Sequence, residues 1–157
     1  MPSLSLSLRP ITPEDDSFLA AVYASTRAEE LLVTDWSDEQ KMAFCRMQFD
    51  AQTTHYTANY PGASFQIIER SGVPAGRLYL ARWEKEIRIV DITLLPEHRG
   101  TGIGTKLLKE LQEEARGAGK KLSIHVERLN PALQLYERLG FQQVEDKGVY
   151  LLLEWSS

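Results

Sequence analysis

Arg99-Gly100-Thr101-Gly102-Ile103-Gly104-Thr105 lies between an apolar run ending at Leu95 and an amphipathic stretch starting near Ile103. Glycines at alternate positions remove Cβ atoms from a strand-to-helix turn, so its backbone can close on a ligand. Its N–H groups and the helix N-terminus favour an anion. The chemistry this predicts is the holding of a phosphorylated cofactor. A P-loop would need Ser or Thr after its lysine, and Leu107 follows Lys106. A dinucleotide-binding turn needs G-x-G-x-x-G early in a βαβ unit, whereas Gly100, Gly102 and Gly104 follow nearly two thirds of the chain.

Further on stands Asn130-Pro131-Ala132-Leu133-Gln134-Leu135-Tyr136-Glu137-Arg138-Leu139-Gly140-Phe141. Arg99-x-x-Gly102-x-Gly104 followed by this segment resembles the GCN5-related N-acetyltransferase superfamily. The likeness covers roughly residues 65 to 155, and residues 1 to 60 match in the order of expected elements only. It implies acetyl-CoA as cofactor, bound by Leu94, Leu95, Arg99, Gly100, Thr101, Gly102, Ile103, Gly104, Thr105, Asn130 and Tyr136. The pyrophosphate would sit on the glycine turn, Asn130 beside the pantetheine arm and Tyr136 near the thioester sulfur. A backbone N–H near Leu94 or Leu95, where the family splays two strands apart, would serve as oxyanion donor. Asn130 and Tyr136 stand one residue closer together than in many members.

Acetyl transfer to an amine needs a neutral nucleophile, donors for the developing oxyanion and a proton for the leaving thiolate. Tyr136 is the expected acid: a thiol titrates near ~8.5 and a tyrosine near ~10, so donation is uphill by only ~1.5 units. Spacing alone favours a core residue beside Leu135 and Leu139, and the resemblance is what turns the reading to an acid. Asn130, before a proline, also reads as a helix cap. Three residues compete as general base. His125 resembles the strand histidine of some protein N-terminal acetyltransferases, Glu86 stands at the ungapped position of the histone acetyltransferase base, and Asp91 shares a strand with Glu86. Regular alternation would send Glu86 and Asp91 to opposite faces. An α-amine of pKa ~8 is about 10% neutral at pH 7 and a lysine about 0.04%. A water-linked histidine suffices for the former, which ranks His125 first. In this family the first two helices, their loop and the last strand pair usually build the acceptor pocket, here Arg27, Glu29, Glu30, Asp35, Trp36, Tyr56, Tyr60 and Tyr150.

The expected function is therefore acetyl-CoA-dependent N-acetylation of a small amine or a peptide α-amine, by direct attack in a ternary complex. The alternative is a non-catalytic acyl-CoA-binding or regulatory module. His98 and Glu97 are expected to shape the turn before Arg99, and His55 is either a surface residue or part of the acceptor pocket.

The elements that must position these groups read as β-α-α-β-β-β-α-β-α-β-β, an α/β (α+β) fold. The resemblance implies a mixed, mostly antiparallel sheet of about seven strands flanked by about four helices. Leu4, Leu6 and Leu8 alternate with Ser3, Ser5 and Ser7 as a strand with one buried face. Thr12-Pro13-Glu14-Asp15 opens a first helix, and Ser37-Asp38-Glu39-Gln40 is a capping box for a second, with Ala43, Met47, Ala51, Thr54 and Ala58 at helical spacing. Strands follow at 64–70, 75–82 and 86–95. After the glycine turn come a helix bearing Ile103, Leu107, Leu108, Leu111 and Ala115, a strand at 121–127, a helix capped by Asn130-Pro131, and strands at 141–146 and 148–154.

With 157 residues, 43% of them hydrophobic, the chain suits a single domain spanning 1–157. A net charge of -4 without a basic cluster argues against nucleic acid. Cys45 alone excludes an intramolecular disulfide and a cysteine-rich zinc site, and its setting among Met42, Phe44 and Met47 suggests a buried small hydrophobe. No metal and no membrane association are expected, and the location is expected to be cytoplasmic. Oligomeric state is left open, a homodimer included.

Overall fold

After the glycine turn, Ile103, Leu107, Leu108, Leu111 and Ala115 recur at helical spacing and are all buried, which drives helix α3 (Ile103–Ala118) onto the sheet. Gly119 ends it in the left-handed conformation, φ 67°. The computed structural model describes residues 5–157. Leu4 and Ser3 of the expected first strand lie outside them. The remaining elements are β1 (Leu6–Pro10), α1 (Asp16–Leu32), α2 (Asp38–Asn59), β2 (Ser64–Arg70), β3 (Val73–Arg82), β4 (Glu86–Leu94), β5 (Lys121–Glu127), α4 (Leu133–Arg138), β6 (Gln142–Asp146) and β7 (Tyr150–Trp155). One seven-stranded sheet runs β1-β2-β3-β4-β5-β7-β6, with β4 and β5 parallel and every other pair antiparallel. Fold class and element order thus match the resemblance.

Two cores follow from the period of two in the strands. Ile68, Leu78, Leu80, Ile87, Ile89, Leu122 and Ile124 pack with α3 and Tyr136 of α4. Ile67 packs with Leu19 and Tyr23 of α1 and Cys45 and Phe49 of α2. No helix among the described residues is long and apolar enough to cross a membrane.

Three local expectations are corrected. In β1 Leu8 is exposed and Leu6 half-buried, because an edge strand has a neighbour on one side only. In α2, the expected second helix, Ala43, Met47, Ala51, Thr54 and Ala58 face solvent, while Phe44, Cys45, Gln48, Phe49, Gln52 and Tyr56 turn inward, drawn by aromatic packing against α1 and β3. The Ser37–Gln40 capping box is present. A 3-10 turn, Pro13–Asp15, precedes α1, and Thr12 stands at its N-cap. Last, α4 begins at Leu133 rather than at Pro131: the Asn130 side-chain oxygen accepts the Ala132 N–H at 2.8 Å and turns the chain before the helix starts.

Candidate active site

The paired part of β4 and β5 is short. Glu86–Ile89 pair with Lys121–Ile124, and beyond Ile89 and Ile124 the two strands part. A register shift opposite Tyr79 and Leu80 leaves Val90 without a partner on β3, a bulge that bends β4 away from β5. It also slips the side-chain alternation by one. Tyr79 faces Asp91 and Ala81 faces Arg88, so Asp91 shares a face with Arg88 and Glu86. The expectation of opposite faces is corrected by that one extra residue.

Backbone polarity inside the splay follows from parity. Leu95 N–H donates to Ala75 O at 2.9 Å, and with Gly76 opposite Leu94 and Arg77 opposite Thr93, every second residue of β4 bonds to β3. Ile92 and Leu94 therefore turn their N–H groups toward β5, where the ladder has ended. Leu94 N–H is a donor aimed into the cleft, whereas the Leu95 N–H is occupied and drops out as an oxyanion donor. Gly76 permits the arrangement: a Cβ there would lie 2.1 Å from Thr93 O and 2.9 Å from Leu94 Cα.

The glycine turn closes one end of the cleft. Gly100 (φ 71°) and Gly102 (φ 87°) are left-handed, and Gly102 is the N-cap of α3 with no side-chain cap, so the first N–H groups of α3 lack protein acceptors. A Cβ at Gly100 would meet nothing within 4 Å, and at Gly104 only Leu135 Cδ2 at 4.0 Å. The fold leaves this space open, which suits the backbone approach of a phosphate. Arg99 Nε holds Leu94 O at 3.0 Å and Thr101 Oγ1 holds His98 O at 2.7 Å, tying the turn to the end of β4. Ile103 contributes backbone alone, its side chain being in the core. A groove of about 670 Å³ continues along α3 past Gly102, Thr105, Lys106 and Lys109.

Tyr136 lies on the other wall. Its ring is buried, edge-on to Phe141 at 5.5 Å. Among the described residues its hydroxyl has no hydrogen-bond partner, yet the one buried side-chain polar atom without a partner is His98 Nδ1. The Tyr136 hydroxyl therefore reaches accessible space. Burial, and then the charge of Asp91, push its pKa up. Asn130 is exposed at the start of the same segment.

All three expected bases are tied down. Asp91 accepts from Arg77 Nε (3.1 Å) and Nη2 (2.9 Å), Tyr56 Oη (2.8 Å) and Thr93 Oγ1 (2.6 Å). Arg77, 2% exposed, has this carboxylate as its buried ionic partner. Burial alone would raise the Glu86 pKa, but the Ser123 hydroxyl, Arg88 and Lys121 outweigh it and hold the carboxyl below its ordinary range. Glu86 also sits where β4 and β5 are still paired, away from the splay. His125 Nδ1 lies 3.2 Å from Arg88 Nη1 and Nε2 lies 3.1 Å from Lys147 Nζ. Both neighbours are cationic donors, and a neutral imidazole has one acceptor nitrogen to offer them. Burial, with Arg88 and Lys147, lowers the His125 pKa. Each of the three expected bases thus has hydrogen-bond or charge partners in or beside the sheet.

The expected acceptor residues separate into groups. Tyr56 is held by Asp91 and packs edge-on to Tyr79 at 5.9 Å. Tyr60 stacks on Trp83 at 6.2 Å at the paired end of β4 and β5, away from the mouth. Trp36 packs on Phe44 at 5.2 Å. His55 is an exposed partner of Asn59. Arg27 pairs with Glu30 at 2.9 Å on α1, and Tyr150 opens β7 opposite Glu127. Sequence reasoning missed Arg77 and Arg88, the two arginines that lock the carboxylates; the Glu86-x-Arg88 alternation in β4 was a signal for one, and the lone Arg77 amid the apolar run of β3 for the other. Cys45 is buried as expected, which raises its thiol pKa. No metal-binding cluster occurs among the described residues.

Residues 19–141 match the Acetyltransferase (GNAT) family. Over 87% of this chain and 79% of the relative, the sequence is 30% identical to an L-amino acid N-acyltransferase of Escherichia coli K12. The fold is similar to the PaiA N-acetyltransferase from Thermoplasma acidophilum, solved in complex with coenzyme A, with TM-score 0.72, 19% identity and coverage of 98% of this chain and 99% of that one. It is also similar to YncA from Salmonella typhimurium, solved with its cofactor acetyl-CoA, with TM-score 0.60, 23% identity and coverage of 96% and 93%.

Proposed function

The chain belongs to the acetyltransferase (GNAT) family, and from that premise we propose that it transfers the acetyl group of acetyl-CoA to the primary amine of a small molecule or peptide, by direct attack with both substrates bound. One observation carries the reading: the uncapped start of α3 and the unpaired Leu94 N–H open onto the same splay between β4 and β5, with the Tyr136 hydroxyl at its wall. Acetyl-CoA, when bound, supplies an electrophilic thioester carbon and a sulfur that can leave as thiolate.

The chain's own residues do the rest. The N–H groups at Gly102–Thr105 bind the pyrophosphate, favoured by the helix dipole. Asn130 keeps its amide N–H₂ exposed for the pantetheine arm while its oxygen holds the turn. Leu94 N–H donates to the carbonyl oxygen as negative charge develops there. Tyr136, kept protonated by burial, holds the proton for the departing sulfur. No side-chain base is required for an α-amine, which is about 10% neutral at pH 7; the acceptor loses its proton to solvent.

Two measurements test this. Coenzyme A and acetyl-CoA at about 100 times Kd are expected to raise Tm by about 5–10 °C, with ATP and NAD giving much less. Stabilisation by NAD but not by coenzyme A overturns the cofactor. Second, kcat/KM is expected to rise with pH up to the pKa of whichever amine is offered, and His125→Ala is expected to keep that limb. Neutral His125 predominates above a pKa lying below its usual 6.5. A limb in that range, lost in His125→Ala, would make His125 the base.

A further inference from the structure

We infer that Asp91 is a positioning residue: with Arg77 and Thr93 it clamps the peptide that presents the Leu94 N–H, and so sets the aim of the oxyanion donor. This rests on the acetyl-transfer reading above and deepens it.

The Asp91 carboxylate is fully occupied. Oδ1 accepts from Arg77 Nε at 3.1 Å and Thr93 Oγ1 at 2.6 Å, and Oδ2 accepts from Arg77 Nη2 at 2.9 Å and Tyr56 Oη at 2.8 Å. Two bonds on each oxygen use the four lone-pair sites of a carboxylate and leave none for the proton of an amine. The donors come from β3, from α2 and from β4 itself, and Arg77 Nη2 also reaches Gln52 Oε1 on α2 at 2.8 Å. The Arg77 and Asp91 side chains are 2% and 10% exposed. A pair buried this way adds little net stability, and its best-attested use is to fix register.

Register is what this stretch of β4 needs. Asp91 comes immediately after the unpaired Val90. A slip of one residue would carry its charge to the face of Ile87 and Ile89, which pack under α3. Arg77 stands directly opposite Thr93, and both side chains close on the one carboxylate. Thr93 has the parity that bonds to β3, like Leu95, whose N–H donates to Ala75 O. Thr93 O and Leu94 N–H belong to one planar peptide and point opposite ways. Holding Thr93 against β3 therefore aims the Leu94 N–H into the splay.

Infrared difference spectra of bound acetyl-CoA with an isotope-labelled thioester carbonyl read this donor directly, because a hydrogen bond to the oxygen lowers the stretching frequency. The band is expected to lie lower in the unaltered protein than in Asp91→Asn or Thr93→Val. In steady-state kinetics kcat is expected to fall roughly 10²-fold in Asp91→Asn and about 10-fold in Thr93→Val. Coenzyme A has no acyl carbonyl, so its calorimetric Kd is expected to stay within about twofold in both. Thr93→Val keeps the side-chain shape and the ion pair, and it decides alone if Asp91→Asn does not fold. Loss of the Asp91 charge also lowers the Tyr136 pKa, which eases proton donation and so cannot produce the fall in kcat. A band at one position in all three proteins, or full kcat in Thr93→Val, overturns the clamp. So does an Asp91→Asn protein that loses the rise of kcat/KM with pH, since Asp91 would then be the base. The band needs no acceptor amine: if the protein binds acetyl-CoA and acetylates nothing offered, the transfer reading falls while the band still decides whether Asp91 sets the donor.

Discussion

Tyr136→Phe is expected to lower kcat by roughly 10² to 10⁴ with little change in coenzyme A affinity. Phenylalanine keeps the ring, its edge-on contact with Phe141 and its place in the core, so stability should move little. What disappears is one O–H. Burial and the Asp91 charge raise the Tyr136 pKa, which keeps the hydroxyl protonated but makes donation costlier than the ~1.5 units between ordinary tyrosine and thiol values. The departing sulfur is desolvated by the same cleft, and desolvation disfavours its thiolate too, so the gap narrows again. Steady-state kinetics with the best acceptor amine, paired with calorimetric titration of coenzyme A, checks the prediction. Full kcat in the variant would reduce Tyr136 to packing. A loss of cofactor affinity equal to the loss in kcat would make it a binding residue.

The open glycine turn was legible in the sequence and the surroundings of the candidate bases were not, for physical reasons. A turn that needs left-handed residues and an open backbone restricts its composition to glycine, so Gly100, Gly102 and Gly104 are legible as letters. The helix that follows is legible because its apolar residues fall on one face. The Val90 bulge leaves no such mark. It depends on how β3 and β4 slide against each other, and that one residue decides which face Asp91 occupies and where β4 leaves β5. The state of Asp91, Glu86 and His125 was likewise unreadable, since it depends on Arg77 and Arg88 arriving from other positions in the sheet. The partners of a carboxylate or imidazole in a strand are set by the register of the sheet rather than by its own neighbours in the sequence. In α2 the spacing of Ala43, Met47, Ala51, Thr54 and Ala58 marked a helix but not its buried face, which Phe44, Phe49 and Tyr56 set because they contribute more apolar area.

Gly102→Val is expected to weaken coenzyme A binding by roughly 10² to 10⁴-fold, the loss of about two charge-assisted hydrogen bonds from backbone N–H to phosphate. Valine there meets two obstacles. Its Cβ would stand in the path of the ligand, and a φ of 87° is one that a β-branched residue strongly avoids. The second obstacle acts on the protein itself, so a weak-binding variant could simply have a distorted α3. Gly104→Ala separates the two effects. Gly104 is within α3 at ordinary helical geometry, and its added Cβ would meet only Leu135 Cδ2 at 4.0 Å. Alanine also favours a helix over glycine by roughly 0.5–1 kcal/mol. Free of ligand, Gly104→Ala should therefore melt about 1–4 °C higher than the unaltered protein, yet bind coenzyme A more weakly. Opposite signs in the two measurements can arise only if the missing side chain serves the ligand rather than the fold. Unchanged affinity in both variants would remove the glycine turn from the cofactor site.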